Sequence, residues 1–206
     1  MKRETNSKER ILKASIEEFS KLGFHGARVE SIAEKADINK AMIFYYFSSK
    51  EELYKRVLAH IVGKVVSSLT NSGVVRDDIT PEEYLKEFPE IYIKLFYNNP
   101  EFLRIIGLGM IQNGDYIKSV MKNVISELGN GIPEKFSSFV LKWNKDGMIT
   151  ESDPAHFFLN IVSLTLFPLI SKPFAEAIFG KEFNEKNFLA ERLRSIKNIL
   201  EKGIIR

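Results

Sequence analysis

Apolar residues recur at helical spacing along most of the chain, and no stretch alternates between apolar and polar residues as a half-buried strand does. Leu12, Ile16 and Phe19, for example, would lie on one face of a helix. Neither an internal repeat nor a low-complexity segment interrupts the pattern. The sequence therefore predicts an all-α fold.

Capping residues mark where the predicted helices begin. A glutamate follows three residues after Asn6, Ser49 and Thr80, which is the spacing of a capping box. Asp153 followed by proline is a further start signal, and Gly23 offers a left-handed end to the first helix. The predicted helices cover residues 6–23, 29–36, 40–47, 50–69, 81–97, 101–111, 115–129, 133–144, 154–170 and 185–203.

The composition limits the compartment and the chemistry. The 206 residues contain no cysteine, which excludes disulfides and thiolate catalysis. The first ten residues are polar and do not resemble a signal peptide. The most apolar stretch, Ile161–Ile170, is far shorter than the ~20 residues that span a bilayer. We therefore expect a cytoplasmic protein that does not interact with a membrane.

The positive charge is concentrated at one end of the chain. The net charge is +3, and residues 1–56 hold 12 Lys/Arg against 9 Asp/Glu, whereas the remaining residues hold 18 of each. A basic N-terminal quarter on a neutral body is consistent with a region that binds a polyanion.

Residues 28–47 have the order helix, tight turn, helix, with a supporting helix before them, as in a helix-turn-helix. Ala33 and Ala36 are small enough for two helices to cross closely, and Ile38 can point inward from the turn. Ile43 and Phe47 are four residues apart and would form the buried face of the second helix. Its other residues, especially the N-terminal ones, would then face the major groove.

The segment Gly23–Leu58 resembles the DNA-binding head of the TetR family of bacterial repressors. The matching pieces are Ile32-Ala33, Ala36-Asp37-Ile38, Phe44-Tyr45-Tyr46-Phe47 and Ser49-Lys50-Glu51-Glu52-Leu53. The resemblance implies a three-helix DNA-binding head over residues 1–50. A long helix would join it to a larger helical body, residues 51–206, which binds an effector and dimerises.

The resemblance also implies roles on double-stranded DNA. Tyr46 and Lys50 are expected at phosphates, and Phe44 and Tyr45 at sugars or thymine methyl groups. The full set of predicted DNA-binding residues is Arg28, Asn39, Lys40, Ala41, Met42, Phe44, Tyr45, Tyr46 and Lys50.

Three positions depart from the family pattern. Asp37 replaces the usual turn glycine, and aspartate tolerates a left-handed conformation. Ala27 stands where a threonine often caps the second helix and contacts phosphate, and Arg28 is available to replace that contact. Phe44 lacks the hydroxyl of the tyrosine common at its position. We expect an unusual operator sequence as a result.

The body is rich in aromatic residues, most of which are expected in a helical core. The resemblance implies that some of them line a largely apolar effector cavity, and we expect an apolar or aromatic effector. No cofactor or metal is expected. The candidate ligand-binding residues are Tyr92, Gln112, Asn113, Tyr116, Trp143, His156 and Asn160.

A homodimer is also implied, in which helices at 154–171 and 185–203 pack with their copies as a four-helix bundle. Residues 157–170 are apolar on nearly all sides, which fits either an interface helix or a central helix of one subunit. Two-fold symmetry would let two heads bind a palindromic operator. The predicted interface residues are Phe157, Phe158, Ile161, Leu164, Leu193, Ile196 and Leu200.

An enzyme is the main alternative from another class. The sequence has three histidines and lacks a Glu-x-x-His pair, a His-Glu-x-x-His motif, a P-loop and a Gly-x-Ser-x-Gly motif. Asp153 and His156 have a spacing that could ligate a metal, but Asp153 is better explained as a helix N-cap. A helical small-molecule-binding or scaffold protein with a weakened DNA-binding head is the other alternative. We predict a ligand-responsive regulator of transcription without enzymatic activity, and specifically a repressor.

Overall fold

The computed structural model describes residues 2–112, 114–129, 131–180 and 185–205. These residues contain no strand, and an isolated antiparallel bridge joins Ile149 to Ile205. The all-α prediction is therefore confirmed. The helices are α1 (Lys2–Gly26), α2 (Val29–Lys35), α3 (Lys40–Phe47), α4 (Lys50–Ser72), α5 (Pro81–Asn98), α6 (Pro100–Gln112), α7 (Gly114–Leu128), α8 (Ile132–Lys145), α9 (Pro154–Phe179) and α10 (Glu185–Gly203).

The predicted helix starts are confirmed where a cap is present. Asn39 accepts a hydrogen bond from the Ala41 amide at 2.8 Å and so begins α3. Thr80 and Glu83 form a complete capping box at the start of α5, with backbone-to-side-chain distances of 3.1 and 3.3 Å. Asp153 accepts from the second and third amides of α9. The helix start predicted at Asn6 is wrong, because α1 begins at residue 2. The largest extension beyond a predicted end is that of α9, which continues to residue 179.

The chain forms two compact units. Unit 1 contains Met1–Lys64 and Asn99–Asn130, and unit 2 contains Val65–Asn98 and Gly131–Arg206. Unit 1 holds the helix-turn-helix together with α6 and α7, and unit 2 holds α5, α8, α9 and α10. The division of function after residue 50 stays a prediction.

An aromatic cluster fills the centre of unit 1. Tyr54 of α4 is buried, and its ring centre lies 4.9 Å from that of Phe19 and 5.1 Å from that of Phe24. Burial raises the pKa of Tyr54 to about 12. Gly109 of α6 lies against the Tyr54 hydroxyl, because a Cβ there would be 2.9 Å from the hydroxyl oxygen and 2.8 Å from Ile117 Cδ1. A side chain at 109 would therefore push α6 away from α4.

A glycine kink ends the long part of α1. Gly23 has φ 68° and ψ −176°, a conformation that is essentially restricted to glycine. The Gln112 side-chain amide at the end of α6 occupies the space where a Cβ would lie, since its Oε1 would be 2.1 Å away. The helix end that was predicted at Gly23 is therefore a kink, after which α1 continues for three residues.

A second aromatic cluster forms the core of unit 2. The Tyr84 ring of α5 has Phe88, Phe136, Trp143 and Phe157 around it at centroid distances of 5.2 to 6.4 Å. Burial raises the pKa of Tyr84 well above its ordinary value. Aromatic side chains from α5, α8 and α9 thus converge on one residue, and this convergence fixes how those helices pack.

A proline in α9 is compensated by an arginine from α10. Pro168 has no amide hydrogen, so the carbonyl of Leu164 one turn earlier has no helical donor. Arg192 supplies two donors to that carbonyl, from Nε at 3.3 Å and Nη2 at 3.0 Å. The α9 helix therefore passes through Pro168 with the exposed carbonyl satisfied by its neighbour.

Candidate nucleic-acid interface

Helix α3 has one buried and one exposed side. Ile43 and Phe47 are buried, as predicted from their spacing. Met42, Phe44 and Tyr45 are 37, 40 and 73% exposed. Large apolar side chains are costly to leave in water, so an exposed aromatic group on so short a helix indicates a contact surface.

The turn before α3 is a glycine-type helix cap formed without glycine. Asp37 has φ 50°. Its amide donates to the backbone carbonyl of Glu34, and the amide of Ile38 donates to that of Ala33, both at 3.0 Å. This is the hydrogen-bond pattern of a Schellman motif. The prediction that aspartate would adopt the left-handed conformation here is confirmed. Arg10 of α1 donates to both the backbone carbonyl and the carboxylate of Asp37, at 2.7 and 2.8 Å.

A buried carboxylate ties α1 to α2. Glu18 lies almost wholly inside the head, where Lys35 donates to it at 2.7 Å and the Arg28 amide at 3.5 Å. Burial tends to raise the pKa of Glu18, but the hydrogen bonds from Lys35, Ser31 and the Arg28 amide outweigh it and lower that pKa. Ala27 is buried, and Arg28 begins α2 with no side-chain cap.

Cations lie beside the exposed aromatic rings. Lys40 Nζ is 5.6 Å from the centre of the Phe44 ring, and Lys8 Nζ is 5.3 Å from that of Tyr46. Such cation–π contacts orient a lysine without neutralising it. The surface thus combines positive charge with apolar rings, which is what contact with phosphates and base edges requires.

Lys50 begins α4 and lies against the end of α1. Its Nζ is 4.9 Å from the centre of the Phe24 ring and 3.4 Å from the His25 carbonyl oxygen. These contacts hold the ammonium group at the N-terminus of a 23-residue helix, a position that favours an anion.

The predicted DNA-binding residues all lie on α2–α4 or the loops that start these helices. Seven are exposed, and Tyr46 and Lys50 are partly buried. Two ion pairs at this surface escaped the sequence reasoning: Arg10 with Asp37, and Lys40 with Glu30. Opposite charges ten or more residues apart gave no local signal for either pair. The nine predicted contacts are Arg28, Asn39, Lys40, Ala41, Met42, Phe44, Tyr45, Tyr46 and Lys50.

The predicted ligand-binding residues are divided between the units. In unit 1, Gln112 fills the space beside Gly23, and Tyr116 packs 5.3 Å from Phe24. In unit 2, Tyr92 stacks on Phe88 at 4.7 Å, and burial raises its pKa to about 12.

The remaining candidates differ in exposure. Trp143 is part of the unit 2 core, whereas His156 and Asn160 are exposed on α9. Asn113 lies outside the described residues. Assignment of all seven to an effector site stays a prediction. Within the described ranges, no group of three or more histidine, aspartate or glutamate residues is arranged to hold a metal ion.

The predicted dimer residues fall into two groups. Phe157, Ile161, Ile196 and Leu200 are almost fully buried in the core of their own subunit, so they have no surface to offer a partner. Phe158, Leu164 and Leu193 are exposed or half-buried and remain available. On α9 the sequence pattern did not separate the two groups, because residues 157–170 are apolar on nearly all sides.

Helix α9 exposes more apolar surface than the sequence pattern indicated. By length and composition alone, this 26-residue helix could cross a membrane, and only 17% of its most apolar window is buried. The charged pair Lys172 and Glu176 on this helix would be costly in the core of a bilayer. The exposed large residues on it are Phe158, Leu159, Phe167, Ile170, Phe174, Ile178 and Phe179.

Comparison with known proteins agrees with this architecture along nearly the whole chain. The family described as "Bacterial regulatory proteins, tetR family" matches residues 11–57, and "Tetracyclin repressor-like, C-terminal domain" matches residues 81–199. The HTH-type transcriptional regulator RutR of Escherichia coli K12 is 30% identical over 197 residues, covering 96% of this chain and 90% of RutR. The HTH-type transcriptional repressor NicS of Pseudomonas putida is 27% identical over 202 residues, covering 97% of this chain and 93% of NicS.

A solved structure shows the same fold. The transcriptional regulator FadR from Bacillus subtilis, in complex with stearoyl-CoA, superposes with a TM-score of 0.71 and 16% identity, covering 95% of this chain and 98% of FadR. The relatives are regulators of transcription, and their matches include both the helix-turn-helix and the helical body. The chain therefore belongs to the TetR family and is a helix-turn-helix DNA-binding transcriptional regulator.

Proposed function

We propose that the protein is a repressor that binds a palindromic operator as a homodimer and leaves it when a small, largely apolar effector binds to the body. The observation that carries this proposal is helix α3, which buries Ile43 and Phe47 but exposes Met42, Phe44 and Tyr45 beside Lys40. A regulator of this kind acts on chromosomal DNA in the cytoplasm and has no enzymatic activity.

The homodimer is supported by the exposed face of α9. Phe167, Ile170 and Phe174, which lie on one side of the helix, are 64, 58 and 69% exposed in the single chain. An apolar surface of this length on a water-soluble regulator needs a partner, and a second copy of the same helix offers a matching one. Two heads related by two-fold symmetry would then meet two half-sites of a palindrome.

The nature of the effector is supported by the aromatic content of the body. The ring cluster around Tyr84 and Tyr92 in unit 2 combines apolar rings with two phenol groups, the mixture of apolar surface and few polar groups that ligand sites use. FadR, which has the same fold, is described with stearoyl-CoA, a ligand with a long acyl chain. We propose that binding in the body places the two heads out of step with successive major grooves and so releases the operator.

Selection from a random DNA pool with purified protein, at fixed near-physiological salt, tests the proposal. A palindromic consensus is the expected result, and it would also identify the regulated genes through its genomic matches. Binding that is weak, equally strong for all sequences and steeply reduced by salt would instead support a helical binding protein whose head is weakened by the substitutions at Ala27, Asp37 and Phe44.

Lys50→Ala tests the phosphate contact within that proposal. Loss of one phosphate contact in each of the two heads should weaken binding to operator and unrelated duplexes by the same factor and reduce the salt slope by about two. Lys55→Ala, on the same helix, is the matched control. A loss restricted to particular base positions would show that Lys50 contacts bases instead.

A further inference from the structure

Two carboxylates on the proposed DNA-binding surface already engage cations of the head. Lys40 of α3 is paired with Glu30 of α2, and Arg10 of α1 contacts the Asp37 carboxylate at 2.8 Å. All four side chains are accessible, with the Asp37 carboxylate 96% and the Glu30 side chain 65% exposed. Exposed pairs of this kind are weak, so a competing anion can displace either carboxylate.

Glu30 affects more than one predicted DNA contact. A hydrogen bond from Lys40 is the main cause that lowers the pKa of Glu30, and the charge of Arg28 lowers it further. Arg28 and Lys40 are both predicted DNA-binding residues, on either side of the turn. One carboxylate therefore lies in the field of two cations that would otherwise be free for phosphate.

Asp37 has a related position in the turn itself. Its left-handed conformation directs the carboxylate outward, where the Arg10 guanidinium also holds the Asp37 carbonyl at 2.7 Å. Neutralising the carboxylate leaves this backbone contact in place. Arg10 can therefore keep the turn in position through the Asp37 carbonyl. The Asp37 carboxylate then determines how much of the Arg10 charge is available to a phosphate.

We propose that Glu30 and Asp37 compete with DNA phosphates for Lys40 and Arg10 and thereby limit the affinity of the head for DNA of any sequence. The proposal rests on the function proposed above. A phosphate must displace a carboxylate before it gains each cation, and the carboxylate repels the phosphate that approaches. The limit acts on the sequence-independent part of binding, so it helps the protein to leave non-operator DNA and to be released from its operator.

Salt titration of DNA binding tests the competition in the full-length protein. Glu30→Gln and Asp37→Asn remove the charges with nearly the same shape, and asparagine retains the tolerance for the left-handed turn. Each variant should bind operator and scrambled duplex about 2- to 5-fold more tightly per head, or about 4- to 25-fold for the dimer, because one exposed ion pair in each head no longer competes. One additional phosphate contact in each head should also add about 12-fold to the dimer's loss of affinity between about 50 and 200 mM salt.

Two controls separate competition from a general change in charge. Glu34→Gln makes the same charge change on α2 at an exposed carboxylate and should leave the salt slope unchanged. In a Lys40→Gln background, Glu30→Gln should give a smaller gain in slope, because Lys40 is no longer there to release and only Arg28 remains. Unchanged slopes in Glu30→Gln and Asp37→Asn, or equal effects of Glu30→Gln and Glu34→Gln, would overturn the inference.

Heparin, a polyanion without base sequence, keeps this test separate from that of the proposed function. The Glu30→Gln and Asp37→Asn variants should elute from heparin at higher salt than wild type and Glu34→Gln. Later elution combined with failure to select an operator would overturn the proposed repressor function and leave the competition intact. Elution together with wild type would overturn the competition, even for a protein that selects a clear operator.

Discussion

Helices α3 and α9 both expose large apolar side chains, but in different electrostatic surroundings. On α3, Phe44 lies beside Lys40, and Tyr46 lies beside Lys8. On α9, exposed aromatic and aliphatic residues continue along most of 26 residues, and a lysine and a glutamate that pair with each other are its charged groups. Rings among cations suit DNA, whereas a long uncharged face suits another protein surface. Neighbouring charge therefore distinguishes the two partners better than exposed apolar content does.

A charge placed on the α9 face should strongly weaken dimerisation. Phe174→Glu would leave an unpaired carboxylate in the proposed interface, at a cost of roughly 3 kcal/mol or more, which weakens dimerisation and operator binding about 100-fold. Sedimentation equilibrium measures the first effect, and the circular dichroism spectrum should be unchanged because Phe174 is 69% exposed. Leu141→Glu, at an exposed position on α8, is the control and should remain dimeric. An equally stable Phe174→Glu dimer would place the interface elsewhere.

The contact between Arg192 and the Leu164 carbonyl should show strong coupling to Pro168. Arg192→Leu leaves a half-buried carbonyl without a donor and should reduce the free energy of unfolding by about 1–3 kcal/mol. In a Pro168→Ala background the helix supplies its own amide donor, so the same substitution should cost much less. Urea denaturation of wild type, the two single variants and the double variant measures the cost of Arg192→Leu in each background. Equal costs in both backgrounds would show that Arg192 stabilises α9 in another way.

Two substitutions within α3 should separate binding from folding. Tyr45→Ala removes an exposed ring, so it should preserve the melting temperature and weaken operator binding by about 1–2 kcal/mol, or roughly 5- to 30-fold. Phe47→Ala removes a buried ring of the same helix and should destabilise the fold by about 3–5 kcal/mol. Thermal denaturation and operator titration of both variants check the contrast. A large loss of stability in Tyr45→Ala would mean that its ring belongs to the core.

Lowering the pH should have a smaller effect on the stability of the fold than these substitutions, and we expect the effect to come from His60 in unit 1. Burial, followed by the nearby charge of Lys64, lowers the pKa of His60 below its ordinary value of 6.5. The unfolded chain then binds a proton more readily than the folded one, so stability is complete above pH 6.5 and falls as the pH decreases through the folded pKa. Melting temperatures at about pH 7.5 and 5.5 should therefore differ more for wild type than for His60→Gln. The same difference in both proteins would contradict this assignment.

The parts of the structure that depend on residues close together in the chain were predictable from the sequence. Helices α2 and α3, the left-handed Asp37 and the buried pair Ile43 and Phe47 follow from caps, turn chemistry and helical spacing. The length of α9 was not predictable, because the donor that replaces the missing amide comes from Arg192, 24 residues after Pro168. The same holds for the pairing of Lys40 with Glu30, which requires α2 and α3 to be folded against each other.

The kink at Gly23 determines how this regulator could be recombined with others. The Gln112 amide of α6 fills the space beside that glycine, and Tyr116 of α7 lies against the next residue, Phe24. A chimaera that takes only residues 1–50 would lose both contacts, and it would leave Phe19 and Phe24 without the Tyr54 ring that packs on them. We therefore expect the transferable piece to be discontinuous and to consist of the first 64 residues together with α6 and α7, so that an exchange of DNA specificity would replace two segments at once.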